Sequence, residues 1–217
     1  MTIPIPYQLR DDLYRRPLAA ALERLGDMGG FKCVDVGAGG GDVSVALAEL
    51  CGSTGRVYAV DIDPFRRNQI AQKAAEFSQV IALTQAAEEL TLPESVDLAF
   101  CRFLLLAVPQ PDLVVERMVR AVKKGGWIII QEPITSAGRV GRTEMKMDSD
   151  AVLDPDVGCI VLQLLHDAGV EVRDAWIESP VGYGSGPVAN YLQAMTDVSV
   201  YNEQIALPPL VTAIAKV

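Results

Sequence analysis

The sequence predicts an α/β fold, an open and mostly parallel sheet with helices on both faces. Three observations carry this. Residues 32–36 run apolar into a turn with glycines at 37, 39, 40 and 41, and a helical stripe (Val43, Ala46, Leu47, Leu50) follows at once. A second apolar run, Arg56–Val60, ends at Asp61, and Asp63-Pro64 then reads as a helix start. Apolar strands and helical patterns continue to alternate as far as Pro133.

Taken in order, residues 1–31 form an N-terminal extension. Leu13, Leu18, Ala21, Leu22 and Leu25 make a helical stripe over Asp11–Leu25, with Pro17 as a candidate break and Gly26, Gly29 and Gly30 closing it. The first strand, Gly-rich turn and helix come next, and Gly52 ends that helix. The helix after Asp63-Pro64 is expected to reach about Phe77, followed by a third strand at Gln79–Leu83 and a fourth at Ser95–Cys101. A helix over Pro109–Val122 is expected to place Lys123-Lys124 at its negative end with Gly125 or Gly126 as C-cap, leaving Trp127–Ile130 as the fifth strand. Residues 134–157 are irregular. Gly158 to about Ala168 reads as a helix and Val170–Ile177 as a sixth strand. Residues 180–209 are loop-rich around a short helix at Val188–Met195, and Leu210–Ala215 is a seventh strand.

Composition narrows the function. The 217 residues suit a single domain with a sizeable core, and half of them are hydrophobic. No apolar run approaches the roughly 20 residues of a membrane span. The first residues, with Pro4, Pro6, Asp11 and Asp12, lack a secretory pattern, so a cytoplasmic protein without membrane insertion is expected. Cys33, Cys51, Cys101 and Cys159 form no Cys-x-x-Cys pair, and His166 is the one histidine, so no metal site is expected. A net charge of −9 argues against nucleic acid as a partner.

The Gly-rich turn admits two cofactor classes. A dinucleotide fingerprint requires Gly-x-Gly-x-x-Gly, but the sixth position from Gly37 is Asp42, whose carboxylate would repel a diphosphate. The spacing that fits is Asp35-x-Gly37-x-Gly39-x-Gly41. In this motif the sequence resembles the class I S-adenosylmethionine-dependent methyltransferases, whose cofactor carries a sulfonium cation and no phosphate. The resemblance runs from residue 32 to about 133 and is nearest the small-molecule branch of ubiquinone/menaquinone and natural-product methyltransferases. It implies a Rossmann-like, doubly wound sheet of seven strands, the last antiparallel, with residues 134–157 and 180–209 as variable substrate-side segments.

The resemblance also implies the site. Asp35, Gly37, Ala38, Gly39 and Gly41 would form the cofactor turn, and Asp61 with Ile62 would meet the ribose and adenine. Asp63 is explained locally as a cap, whereas nothing in the sequence gives Asp61 a local partner. The family's adenine loop usually carries an Asp where this chain has Ala86, leaving Ala87 and Glu88 for that contact. Cys101 and Arg102 match the segment lining the space between cofactor and acceptor. Arg102 would bind a carboxylate of cofactor or acceptor, or extend to solvent. Tyr7, Tyr14, Arg15 and Arg16 are further contact candidates. His166, at a helix end remote from the cofactor strands, reads as a surface residue, so no histidine base is available. Glu132, at the end of the fifth strand, is the best-placed carboxylate for catalysis, with Arg102 the other candidate.

The leading expectation is methyl transfer from S-adenosylmethionine to a small-molecule acceptor, leaving S-adenosylhomocysteine, with a homodimer as an option. The alternatives are a catalytically degenerate methyltransferase-fold protein that binds cofactor or a protein partner, and a nicotinamide-dependent oxidoreductase, which Asp42 disfavours.

Overall fold

The structure is a computed structural model that describes residues 7–145, 151–196 and 202–217. The elements in chain order are α1 (Tyr7–Glu23), β1 (Lys32–Val36), α2 (Asp42–Cys51), β2 (Arg56–Asp61), α3 (Pro64–Lys73), β3 (Val80–Thr84), β4 (Val96–Arg102), α4 (Pro111–Ala121) and β5 (Val122–Pro133). Then come β6 (Arg139–Val140), β7 (Thr143–Glu144), α5 (Val161–Asp167), β8 (Glu171–Glu178), β9 (Val181–Tyr183), α6 (Pro187–Met195), β10 (Gln204–Ala206) and β11 (Leu210–Lys216).

Seven strands form one sheet in the order β3-β2-β1-β4-β5-β11-β8. β1 pairs in parallel with both β2 and β4. β11 runs antiparallel between β5 and β8, as expected of the last strand. The chain winds outward from β1 in both directions, so the switch point lies between β1 and β4, where ligands bind in folds of this class.

Period-two alternation builds a core on each face of the sheet. Val34, Val36, Ala99 and Ile130 face α4 and α5, which contribute Val114, Met118 and Leu165. Cys33, Leu98, Phe100 and Ile129 face α1 and α2, which contribute Leu18, Leu22, Val43 and Leu47. Asp35 alternates onto the second face and is therefore a buried carboxylate beneath two helices.

Several expectations need correction. Pro17 lies inside α1 without ending it. α3 stops at Lys73: Ala74 leaves the helical region at φ −91°, ψ 18°, and the next N–H groups, those of Ala75 and Phe77, donate to the Gln72 and Ala74 carbonyls three residues back. Lys123 to Gly126 are not a helix cap. Val122 is already extended, and β5 runs twelve residues from there. Lys123 pairs with Asp97, and the Gly125 N–H donates to the Val217 carbonyl at 2.6 Å. A side chain at Gly126 would meet the Asp97 carbonyl at 2.8 Å, which explains its glycine.

Parts of the segments 134–157 and 180–209 are also more ordered than expected. They supply a second sheet, β7-β6-β10-β9, whose face packs with α6 through Val188, Leu192, Ile205 and Leu207. Strands of two or three residues carry no readable period, so no local pattern marks them. Among the described residues no helix is long and apolar enough to cross a membrane.

Candidate functional site

The turn after β1 is shaped by backbone. Gly37, Gly39 and Gly41 hold φ of 74°, 52° and 84°, values that favour glycine. Gly37 has a second reason, since a Cβ there would sit 2.8 Å from Leu104 Cδ1. The N–H groups of Gly37 and Ala38 donate to the Val60 carbonyl at 2.8 and 2.9 Å, tying the turn to the end of β2. Ser44 on α2 donates to Asp35 Oδ2 at 2.6 Å. Asp61 does have local partners: its Oδ2 accepts from the Gly39 N–H at 2.8 Å and its Oδ1 from the Asp63 N–H at 3.0 Å. A carboxylate oxygen accepts more than one hydrogen bond, so both retain acceptor capacity on the solvent side.

Against this turn lies a cavity of about 10 Å³, lined by Arg10, Asp11, Asp35, Gly37, Ala38, Gly40, Asp42, Val43 and Arg102. That is room for about one water. Arg102 ends β4 and is buried. Its Nη2 donates to Asp11 Oδ1 at 2.9 Å and its Nη1 to the Tyr14 carbonyl at 3.2 Å. Arg102 therefore binds a carboxylate, but one supplied by α1, and it does not extend to solvent. Arg10 lies 3.6 Å from Asp11 and its guanidinium sits 5.0 Å from the centre of the Phe103 ring. Phe103 has a φ of 54°, unusual for a bulky residue, and its ring also meets Tyr14 edge-on at 5.0 Å.

Three carboxylates (Asp11, Asp35, Asp42) thus share one cavity with two guanidinium groups. Burial pushes Asp35 up to about 6, against the pull of the Ser44 hydrogen bond. Burial and the neighbouring Asp42 carboxyl push Asp11 up to about 7. Burial pushes Asp42 upward too, but its contacts with Asp11 and Lys73 outweigh this and hold it below the ordinary range. Burial and Arg10 lower Arg102 to about 10, so it stays charged at neutral pH.

Of the residues expected at the site, the cavity gathers Asp35, Gly37, Ala38 and Arg102; Gly39 and Gly41 complete the turn and Asp61 braces it. Ile62 stands exposed beside Asp61. Ala87 is buried at the start of a one-turn 3₁₀ helix, with Glu88 half-buried next to it. Cys101 is a core residue. It is fully buried between β1 and β5, does not line the cavity, and burial raises its thiol well above the ordinary range.

Glu132 does not line the cavity either. Its Oε1 accepts the Leu104 and Leu105 N–H groups, each at 2.8 Å, so it caps the turn after β4. Among the described residues its buried Oε2 meets no hydrogen-bond partner, and burial pushes the carboxyl up to about 7. Tyr14 is buried under α1, while Arg15 pairs with Asp12 at the surface and Arg16 is exposed. The Tyr7 side chain lies outside the described residues. His166 is exposed at the end of α5.

Sequence reasoning missed Arg10 and Asp11 as site residues. The signal was available: Asp11 lies three residues before Tyr14 and seven before Leu18, which puts an acid on the buried stripe of α1.

Comparison with known proteins is consistent with this geometry. Residues 34–130 match a family model described as a methyltransferase domain. Over 104 residues the chain is 33% identical to the demethylmenaquinone methyltransferase of Bacillus licheniformis, a match covering 48% of this chain and 45% of that protein. The chain spans about half the length of the first curated relatives it matches. The ubiquinone biosynthesis O-methyltransferase of Pseudomonas savastanoi pv. phaseolicola matches more fully, at 37% identity over 205 residues, 82% of this chain and 78% of that protein. In fold, the chain is similar to the N-methyltransferase NodS of Bradyrhizobium japonicum WM9, solved in complex with S-adenosyl-L-homocysteine, with a TM-score of 0.64, 13% identity, and coverage of 98% of this chain and 92% of that one. An Asp-Gly-Gly-Gly turn at the switch point of a seven-stranded sheet, matched by a 37% identical relative over most of both chains, establishes that this chain belongs to the class I S-adenosylmethionine-dependent methyltransferase family.

Proposed function

We propose that this protein transfers a methyl group from S-adenosylmethionine to a small-molecule acceptor. The observation that carries the reading is the glycine turn of β1 joined to Asp61 of β2 at the switch point of the sheet. The cofactor supplies a methyl group already activated on a sulfonium. What remains for the protein is to bind and orient, worth up to about 7–11 kcal/mol when geometry is well held.

The donor set suits that cofactor. The free acceptor capacity of Asp61 would take ribose hydroxyls, and Ile62 offers an apolar surface beside it for adenine, with Ala87 and Glu88 on the neighbouring loop. The acidic pair Asp35 and Asp42 suits a cationic ammonium, and Arg102 suits a carboxylate. The amino acid end has no room beside Arg102 while Arg10 and Asp11 are in place, since the cavity there holds about 10 Å³, space for about one water. The net charge of −9 favours a metabolite over nucleic acid as acceptor.

A second reading, a methyltransferase-fold protein that binds cofactor or a partner without turnover, is favoured by Ala86 in the adenine loop and by Glu132 being held as a cap. Titration calorimetry with S-adenosylmethionine, S-adenosylhomocysteine and NADH tests the cofactor class. Micromolar binding of the first two and none of the third is expected. Asp61→Ala should weaken binding at least about tenfold, since it removes charge-assisted hydrogen bonds. Equal affinity in that variant would refute the ribose assignment.

A further inference from the structure

We propose that the first half of α1 is a latch over the cofactor site: Asp11 occupies Arg102 in place of the ligand's own carboxylate, and binding exchanges one carboxylate for the other as this half of α1 moves outward about Pro17. The inference rests on the reading of the site as one for S-adenosylmethionine.

The exchange is required by room. Among the described residues, Arg10 and Asp11 are the lining residues that come from α1, and the remaining lining belongs to Asp35 of β1, the turn, α2 and Arg102 at the end of β4. Those latter elements are fixed in the sheet and its core. Space for a ligand therefore opens by moving α1.

The exchange is also chemically matched. Arg102 is 6% exposed and its Nη2 is satisfied by a carboxylate, the group that an amino acid ligand presents. Asp11 is a poor permanent occupant. It is 7% exposed, among the described residues its Oδ2 meets no N–H donor, and its carboxyl group lies against that of Asp42, an arrangement that two charged carboxylates resist and a shared proton relieves. A zwitterionic ligand would deliver an anion to Arg102 and a cation to Asp35 and Asp42 together. It would release Asp11 to water, where a carboxylate is best solvated.

The two halves of α1 are held by different partners. Pro17 has no N–H for the Leu13 carbonyl, so the helix lacks one hydrogen bond at that point. Beyond it, Leu18, Ala21 and Leu22 are core residues. Gln131, fully buried in β5, donates to the Pro17 carbonyl at 3.1 Å. Just past the helix, Arg24 reaches Asp174 at 2.6 Å and stacks 4.0 Å over Trp176. The second half is thus pinned to the sheet. The first half is held over the site chiefly through Arg10, Asp11, Leu13 and Tyr14.

The test is titration of the wild type and Asp11→Asn with S-adenosylhomocysteine, alongside amide hydrogen exchange of the wild type with and without that compound. The latch predicts that D11N binds on the order of tenfold more tightly, because the ligand no longer competes with a charged hydrogen bond. It also predicts that the ligand speeds exchange in residues 9–16 and leaves residues 18–23 unchanged. Equal or weaker binding by D11N, or protection of residues 9–16 by ligand, overturns the latch while leaving the cofactor reading intact. Absence of binding to both proteins up to millimolar concentration overturns the cofactor reading and the latch with it. If D11N fails to fold, the exchange pattern of the wild type decides alone.

Discussion

Glu132 is a carboxyl group that this fold prefers uncharged. Its ordinary value near 4.5 is pushed up to about 7 by burial, although backbone N–H groups of the turn after β4 pull the other way. A group raised in the folded state contributes stability that is fully present below its unfolded value and is lost as pH rises through its folded value. The loss for Glu132 therefore falls between about pH 4.5 and pH 7. Glu132→Gln keeps a carbonyl oxygen for the Leu104 and Leu105 N–H groups and cannot ionise. In thermal melts at a series of pH values, the difference between wild type and E132Q should shift against the wild type by at least about 2 °C across that interval. A constant difference would mean that Glu132 does not titrate there. At this scale the sequence was legible where a residue's role is set by its neighbours in the chain, as with the glycines of the turn. It misled where a distant element completes the role. Arg102 reads as binding a carboxylate of cofactor or acceptor, or extending to solvent, and nothing local announces that the carboxylate it holds here is Asp11, 91 residues away. Asp61 looked unpartnered and instead braces Gly39.

Among the elements, the helix start at Asp63-Pro64 was legible because its signals are local. Asp63 is the N-cap of α3, with its Oδ1 accepting from the Phe65 N–H at 2.8 Å and Pro64 in the first turn. Asp63→Ala should cost about 1 kcal/mol, which for a chain of this size is a fall in Tm of about 2–4 °C in a calorimetric scan. A change within error would mean that α3 is held by the packing of Ile70 against Ala38 and Ala59 and needs no cap. Element ends fared worse. The Lys-Lys-Gly-Gly run after α4 has the composition of a helix terminus, yet it enters β5, because Val122 pairs with Val96 and the Gly125 N–H finds the Val217 carbonyl. Those partners lie 26 and 92 residues away, outside any local pattern. The four short strands of the second sheet stayed hidden for the same reason, since pairing alone defines them.

The molecule as a whole was legible through its repeating strand-helix units, which dictate a parallel sheet and put the ligand site at its switch point. The placement of β11 came from the family resemblance, because nothing in Leu210–Lys216 announces that it will run against its neighbours. That strand is nearly all buried, and its Thr212 hydroxyl accepts a hydrogen bond from Gln131 at 3.0 Å in the middle of the sheet. Its position has a consequence for synthesis. Among the described residues, β5 and β8 are joined only through β11, so a nascent chain leaves the facing edges of both open until residues 210–216 have left the ribosome. Pulse proteolysis of stalled chains should find the region from β5 to β8 cleavable until residues 210–216 are outside the exit tunnel, and resistant afterwards. Protection at an earlier length would mean that β8 docks without its partner. Completion of this sheet is thus expected as a late, single event.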